Sequence, residues 1–226
     1  MSEAYYNEQL YPLQDQVLEL VGKTNTSFYL TGGTVLGRYL LKHRYSDDLY
    51  FFINRSDSFF EQVSLAMSLL YKNFKNVELS SKQEDYNRYF INEGGVRLKI
   101  EFVNDIRRGS LERQTTGTWI DTWQNILSNK ITALSRLEGK DYVDILFLSL
   151  KYQFNWESMI NDAKEKDTSI NEIDVSERLM NFNFQSLDKV QFSPLFDKTK
   201  IKKDFFFALA KDSLHGFNNS LYRTKL

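Results

Sequence analysis

Residues 28–54 read FYLTGGTVLGRYLLKHRYSDDLYFFIN, and this stretch decides the fold. Phe28-Tyr29-Leu30 is an apolar run of the kind that forms a short buried strand. Gly32-Gly33-Thr34 breaks it, and Val35 to Leu41 then carries a helical period. A second apolar run, Leu49 to Ile53, begins just after the paired acids Asp47 and Asp48. Strand, glycine turn, helix and acid-headed strand suit a phosphate and a metal. Glycines let backbone N–H groups approach an anion at a helix N-terminus. Carboxylates at the head of the neighbouring strand hold a hard divalent cation against the same anion. The other reading of the same residues is an ordinary strand–turn–helix with a solvated acidic turn.

Upstream, residues 7–22 place Leu10, Leu13, Val17, Leu20 and Val21 at helical spacing, ended by Gly22. Pro12 is expected near the first turn, where its missing N–H costs little. Downstream, 54–57 is a turn and 58–74 a helix. Val77 to Ser80 and Asn87 to Asn92 are short strands, and Glu93-Gly94-Gly95 is a hairpin turn. From Val96 to Val103, Arg97, Lys99 and Glu101 alternate with Leu98, Ile100 and Phe102, as in a half-buried strand. Residues 104–118 are loop-rich. Helices are expected at 123–137, 140–152, 156–166, 173–181 and 200–214. The fold class is therefore α+β: a mixed sheet of four or five strands with flanking helices over residues 1–115, then a helical bundle over 116–226.

Composition narrows the chemistry. The 226 residues include no cysteine and two histidines, which removes disulfides, thiolate zinc sites, cysteine nucleophiles and histidine-rich metal centres. A net charge of −1 gives no global pull on nucleic acid, so such a partner needs a local basic patch. Arg38, Lys42, His43 and Arg44 could form one for an RNA backbone, or be a solvated helix end with cations at its C-terminus. A second positive cluster, Lys198, Lys200, Lys202 and Lys203, reads as a solvated face. His215 reads as structural. With no membrane-length apolar run and a polar N-terminus, a cytoplasmic location is expected.

Two strand faces carry the chemistry. Side chains alternate along a strand, so Ser46, Asp48 and Tyr50 share one face, as do Arg97, Lys99 and Glu101. If the strands are neighbours, Asp48 and Glu101 point at one cation between them. The alternative is that Asp48 caps a turn and Glu101 pairs with Lys99 or Arg97 in water.

Thr31-Gly32-Gly33-Thr34 followed by His43-Arg44-Tyr45-Ser46-Asp47-Asp48 resembles the AbiEii/AbiGii family of abortive-infection toxin nucleotidyltransferases, a branch of the DNA-polymerase-β-like superfamily. Thirteen residues separate Thr34 from Asp48, the long end of that pattern. Leu98-Lys99-Ile100-Glu101 resembles the strand with the superfamily's third carboxylate. Asn129-Lys130-Ile131-Thr132-Ala133-Leu134-Ser135-Arg136 and Lys140-Asp141-Tyr142-Val143-Asp144 resemble the family's lysine helix and Asp-x-x-Asp helix. Each motif is weak alone, and four in order are stronger. One departure stands out: the family expects a carboxylate two residues after Asp48, and this chain has Tyr50. A phenol with a reference pKa of about 10 is neutral at pH 7 and a poor ligand for Mg²⁺. On a regular strand Asp47 faces the other way and does not replace it.

The resemblance implies a nucleotide site at Gly32, Gly33, Thr34, Arg44, Ser46 and Lys130, with the Thr34 hydroxyl on the β- and γ-phosphates of an NTP. It implies Mg²⁺ on Asp48 and Glu101, a Lys130 point charge on the triphosphate, and Asp144 orienting Lys130 or the base. For Lys130 and Asp144 the other reading is an interhelical ion pair. The implied reaction moves a nucleoside monophosphate to an RNA end, such as a tRNA, or to a protein hydroxyl, by a toxin with an antitoxin partner. Tyr50 keeps a second expectation open: a degenerate fold that binds nucleotide, RNA or protein without turnover.

Overall fold

The structure, a computed structural model, describes residues 2–106, 111–113 and 117–225, the side chains of Glu112 and Arg113 excepted. It divides into two compact units. One is Met1–Arg38 with Tyr45–Thr122; the other is Tyr39–Arg44 with Trp123–Leu226.

The first unit opens with helix α1 (residues 3–22), capped by Ser2, whose hydroxyl accepts from Tyr5 N at 3.2 Å. Pro12 lies inside this helix, not near its first turn, because the helix already starts at Glu3. An internal proline cannot donate to the carbonyl four residues back, and its ring crowds that carbonyl. The turn before it, Tyr6–Leu10, is wound as a π-helix, a form in which helices absorb such a fault. Strand β1 (Tyr29–Thr31) follows, and then helix α2 (residues 32–40), α-helical over Gly32–Val35 and π-helical over Leu36–Leu40. The helix thus begins three residues earlier than its apolar period indicates. Gly32 makes that possible: its φ of +72° is a backbone state that a side chain would strain.

Strand β2 (Leu49–Asn54), helix α3 (Phe59–Asn73), and strands β3 (Val77–Gln83), β4 (Tyr86–Glu93) and β5 (Val96–Asp105) come next. β6 (Glu112–Arg113) and β7 (Trp119–Ile120) complete a seven-stranded sheet in the order β3-β4-β5-β2-β1-β7-β6. The two strands beyond the expected four or five are two residues each, too short to leave a period. Part of the segment read as loop, 107–110 and 114–116, lies outside the described residues. β2 pairs parallel with β5 and antiparallel with β1. Leu49, Phe51 and Ile53 of β2 and Leu98, Ile100 and Phe102 of β5 are buried, and Phe102 sits 4.8 Å from Phe28 and 5.4 Å from Phe51, ring to ring. α3 contributes Phe59, Val63, Ala66, Met67 and Leu70 to the buried residues. Gly94 and Gly95 both take positive φ (55° and 81°), as a two-residue type I′ turn requires. That turn fixes the register of β4 on β5 and sets Arg88 opposite Glu101.

The second unit holds helices α4 (Trp123–Ala133), α5 (Gly139–Lys151), α6 (Trp156–Lys166), α7 (Glu172–Met180) and α8 (Lys203–His215), close to the five predicted spans. Trp156 and Phe206 are fully buried, and Phe182 stacks on Phe206 at 4.2 Å. α5 starts at a glycine for lack of room: a Cβ on Gly139 would lie 2.6 Å from Ser186 Oγ and 2.8 Å from Ser186 O. Residues 39–44 join this unit through main-chain contacts. Arg44 bridges to Phe192, and Ser193 N donates to His43 O at 3.0 Å. Among the described residues no helix is long and apolar enough to cross a membrane.

Candidate functional site

The sheet unit gathers its polar chemistry where β2 runs beside β5. The approach to β2 is braced from behind. Gln14 Nε2 of α1 donates to Ser46 O and Asp47 O, each at 3.1 Å. The Thr34 hydroxyl donates to Asp48 O at 2.5 Å and lies 3.0 Å from Ser46 Oγ. Thr34 and Ser46 are both buried, so the hydroxyl assigned to a phosphate by the sequence instead holds the loop that aims Asp48. Asp47 turns away, its Oδ1 accepting from the Tyr6 hydroxyl at 2.7 Å.

Asp48 and Glu101 do come together, around a cation that belongs to the protein. Lys99 Nζ is 2.9 Å from Asp48 Oδ2, 3.5 Å from Glu101 Oε2 and 3.2 Å from the Tyr50 hydroxyl, which donates to Asp48 Oδ2 at 3.3 Å. Tyr50 stands opposite Glu101 in the parallel register. On its far side Glu101 Oε1 accepts from Arg88 Nε at 2.7 Å and from the Tyr86 hydroxyl. Burial alone would raise the Glu101 pKa, but those two hydrogen bonds and the charges of Lys99 and Arg88 outweigh it, holding the carboxyl below its ordinary range. Burial, reinforced by Asp48 and Glu101, raises the Tyr50 pKa, so its phenol stays neutral. Burial and the Glu101 contact push Tyr86 up to about 12. Arg88 and Tyr86 were absent from the sequence reading, although the hairpin turn contained the signal: counting back from a two-residue turn puts Arg88 opposite Glu101.

The helical unit holds a second cluster. Asp144 is fully buried. Its Oδ1 takes His43 Nε2 at 2.8 Å and Arg44 Nε at 2.7 Å, and its Oδ2 takes Arg44 Nη2 and Lys130 Nζ, both at 2.7 Å. Lys130 Nζ also donates to Asp141 Oδ1 at 2.6 Å. Burial would raise the Asp144 carboxyl, yet the Arg44 and Lys130 charges and the hydrogen bonds from Arg44 and His43 hold it well below the usual carboxylate range. Burial lowers His43 despite its contact with Asp144, with Arg44 and Lys130 adding to the effect. The neutral ring donates from Nε2, and Nδ1 finds no hydrogen-bond partner among the described residues. Lys130 and Arg44, assigned by sequence to a nucleotide, thus lie in a buried ionic knot, paired with Asp144. The basic rim dissolves for the same reason: His43 and Arg44 are buried, Arg38 pairs with Asp15 at 2.5 Å, and Lys42 alone of the four is exposed.

A seven-stranded mixed sheet that sets a glycine-turn helix and an acid-headed strand beside a third carboxylate, followed by a helical unit, defines a nucleotidyltransferase-like α+β protein. The family model described as nucleotidyl transferase AbiEii toxin, Type IV toxin–antitoxin system, matches residues 20–211, and the chain belongs to that family. Two crystal structures share the fold. JHP933 from Helicobacter pylori is 17% identical, with 95% of this chain and 94% of that one covered and a TM-score of 0.59. A protein described as a "putative nucleotidyltransferase from H. pylori" is 19% identical, with 95% and 96% covered and a TM-score of 0.60. No curated protein matches the chain.

Nucleotidyltransferases usually work with divalent ions, which two carboxylates and a third shared ligand can hold as a pair. The residues here do not fit a pair. The position two after Asp48 is a neutral phenol, Glu101 is engaged by Arg88 and Tyr86, and Lys99 stands between the acids. Among the described residues no group of three or more His, Asp or Glu side chains could hold a metal.

Proposed function

We propose that this protein is a nucleotidyltransferase that moves a nucleoside monophosphate from an NTP to an RNA end or a protein hydroxyl, as the toxin of a toxin–antitoxin or phage-defence pair. The observation that carries the reading is Asp48, just ahead of β2, meeting Glu101 of β5 around Lys99, in a chain of the AbiEii family. In this reading the amides at the Gly32-Gly33 helix start face a phosphate, which favours a helix N-terminus. Asp48, with 24% of its side chain exposed, is the acid that meets the acceptor hydroxyl. Lys99 and Arg88 lend positive charge where the triphosphate becomes more negative. Glu101 holds those two cations in place. Lys130 and Asp144 act as structure in the helical unit.

The test is transfer from α-labelled NTPs, supplied with MgCl₂, to total RNA and to a panel of proteins. Asp48→Ala should abolish labelling, and undiminished labelling in that variant would remove Asp48 from the site. Tyr50 supports a second reading, a fold that keeps nucleotide binding and has lost transfer. NTP binding by calorimetry with no labelled acceptor would favour it, and transfer switched on by Tyr50→Asp would favour it further.

A further inference from the structure

We infer that the Lys99 ammonium is a built-in cation that occupies the seat between Asp48 and Glu101, so that this pair of acids does not bind a free divalent ion on its own. The inference takes its meaning from the nucleotidyl-transfer reading, but its test does not depend on that reading. Three oxygens surround Nζ: Asp48 Oδ2 at 2.9 Å, the Tyr50 hydroxyl at 3.2 Å and Glu101 Oε2 at 3.5 Å. An ammonium has three N–H donors and no acceptor, so the seat matches it in number and in sign. The charges also close. Asp48 and Glu101 bring two negative charges, and Lys99 and Arg88, the latter on Glu101 Oε1 at 2.7 Å, bring two positive ones. A divalent ion entering this set would add charge to a balanced group and meet the Lys99 ammonium at contact range, where like charges repel strongly. It would also find only two carboxylates, and Mg²⁺ bound by so few depends on substrate phosphates for the rest.

Lys99 is anchored by the strand itself. It shares a face of β5 with Glu101, and β2 brings Tyr50 alongside in parallel register, with Asp48 just ahead of that strand. No rearrangement is needed to fill the seat. Tyr50 is part of the design: where a carboxylate would leave a net negative charge for a second cation, the neutral phenol gives Lys99 an acceptor and donates a hydrogen bond to Asp48 Oδ2. What remains for a divalent ion is the triphosphate.

Titration with MnCl₂ alone, read by water-proton relaxation and by calorimetry without nucleotide, tests this. The wild-type protein should show no saturable site up to millimolar Mn²⁺. Lys99→Met, which keeps the aliphatic stem and removes the charge, should bind Mn²⁺ at least tenfold more tightly, and adding Asp48→Asn should erase the gain. Saturable low-micromolar binding by the wild type that Asp48→Asn removes would overturn the inference, whatever the Lys99 variant does. So would equal Mn²⁺ affinity in the wild type and a Lys99→Met protein whose circular dichroism shows it folded. None of these readings needs transfer activity, so a failure to label any acceptor leaves the metal test intact.

Discussion

Two clusters in this chain use the same ingredients, two carboxylates and two or more cations, and end in different chemistry. Around Asp144 every charge is buried and both Asp144 oxygens are claimed by Arg44, Lys130 or His43, while Asp141 meets Lys130 through Oδ1 alone. Around Asp48 the side chains of Asp48 and Lys99 are each 24% exposed and Arg88 is 39% exposed. The buried cluster has no side open to solvent, whereas the other keeps a partly exposed side where the proposed substrate would approach. Depth, more than composition, separates the two clusters. Charges taken out of water must be fully paired, and partly solvated ones keep the freedom to exchange partners.

The sharpest way to break this comparison is Asp144→Ala. It strands Arg44 and Lys130 in the interior, and losing one partner of a buried ionic group costs about 3–5 kcal/mol. Urea unfolding should show that loss, and a change under about 1 kcal/mol would mean the knot is not the structural element described. Gly139→Ala comes next. The new methyl meets Ser186 at under 3 Å, and overpacking of this kind costs about 1–3 kcal/mol in the same assay. It also shows whether α5, which carries Asp141 and Asp144, must seat closely for the knot to close.

Acid should undo the knot in a fixed order. Folding lowers the pKa of His43 below its ordinary 6.5, so the unfolded chain binds a proton that the native ring refuses. Stability is therefore full above about pH 6.5 and falls as pH drops through that value toward the folded pKa. Asp144, held well below 3.8, extends the loss to lower pH by the same sign. Unfolding free energies measured from pH 8 to 4 should decline more steeply in the wild type than in His43→Gln, and parallel curves would contradict the account. The smallest expected effect on stability is that of Asp48→Asn. A partly exposed ion pair contributes about 0–1 kcal/mol, so its unfolding midpoint should barely move while transfer is lost.

How much of this was legible in the sequence depended on the range of the forces involved. Local periods located all five helices of the second unit, with ends displaced most at Trp123–Ala133 and Lys203–His215, since a 3.6-residue apolar stripe is written within each segment. Alternation along 96–103 put Lys99 and Glu101 on one face, and Asp48 headed the right strand. That Lys99 sits between the acids was available only as the alternative of a Glu101–Lys99 pair, because distance and burial decide it and neither is local. β6 and β7 left no pattern at two residues each. Pro12 misled because a proline so near the N-terminus reads as a helix start, and nothing local announces that tertiary packing carries the helix upstream to Glu3. His43 and Arg44 looked like a basic rim because a charged run gives no hint that a carboxylate a hundred residues later will bury it.

The excursion of residues 39–44 into the helical unit has a practical result. The boundary between the units is crossed at three peptide bonds, so no single cut yields two complete pieces. A fragment of 123–226 would contain Asp144 and Lys130 but not the arginine and histidine that complete their set, and one of 1–122 would carry those two residues with nothing to pair. The protein is thus indivisible as a gene fragment although it has two cores: expressed apart, the halves should be unstable, and mixed together they should recover helicity only if the 39–44 segment can find its place.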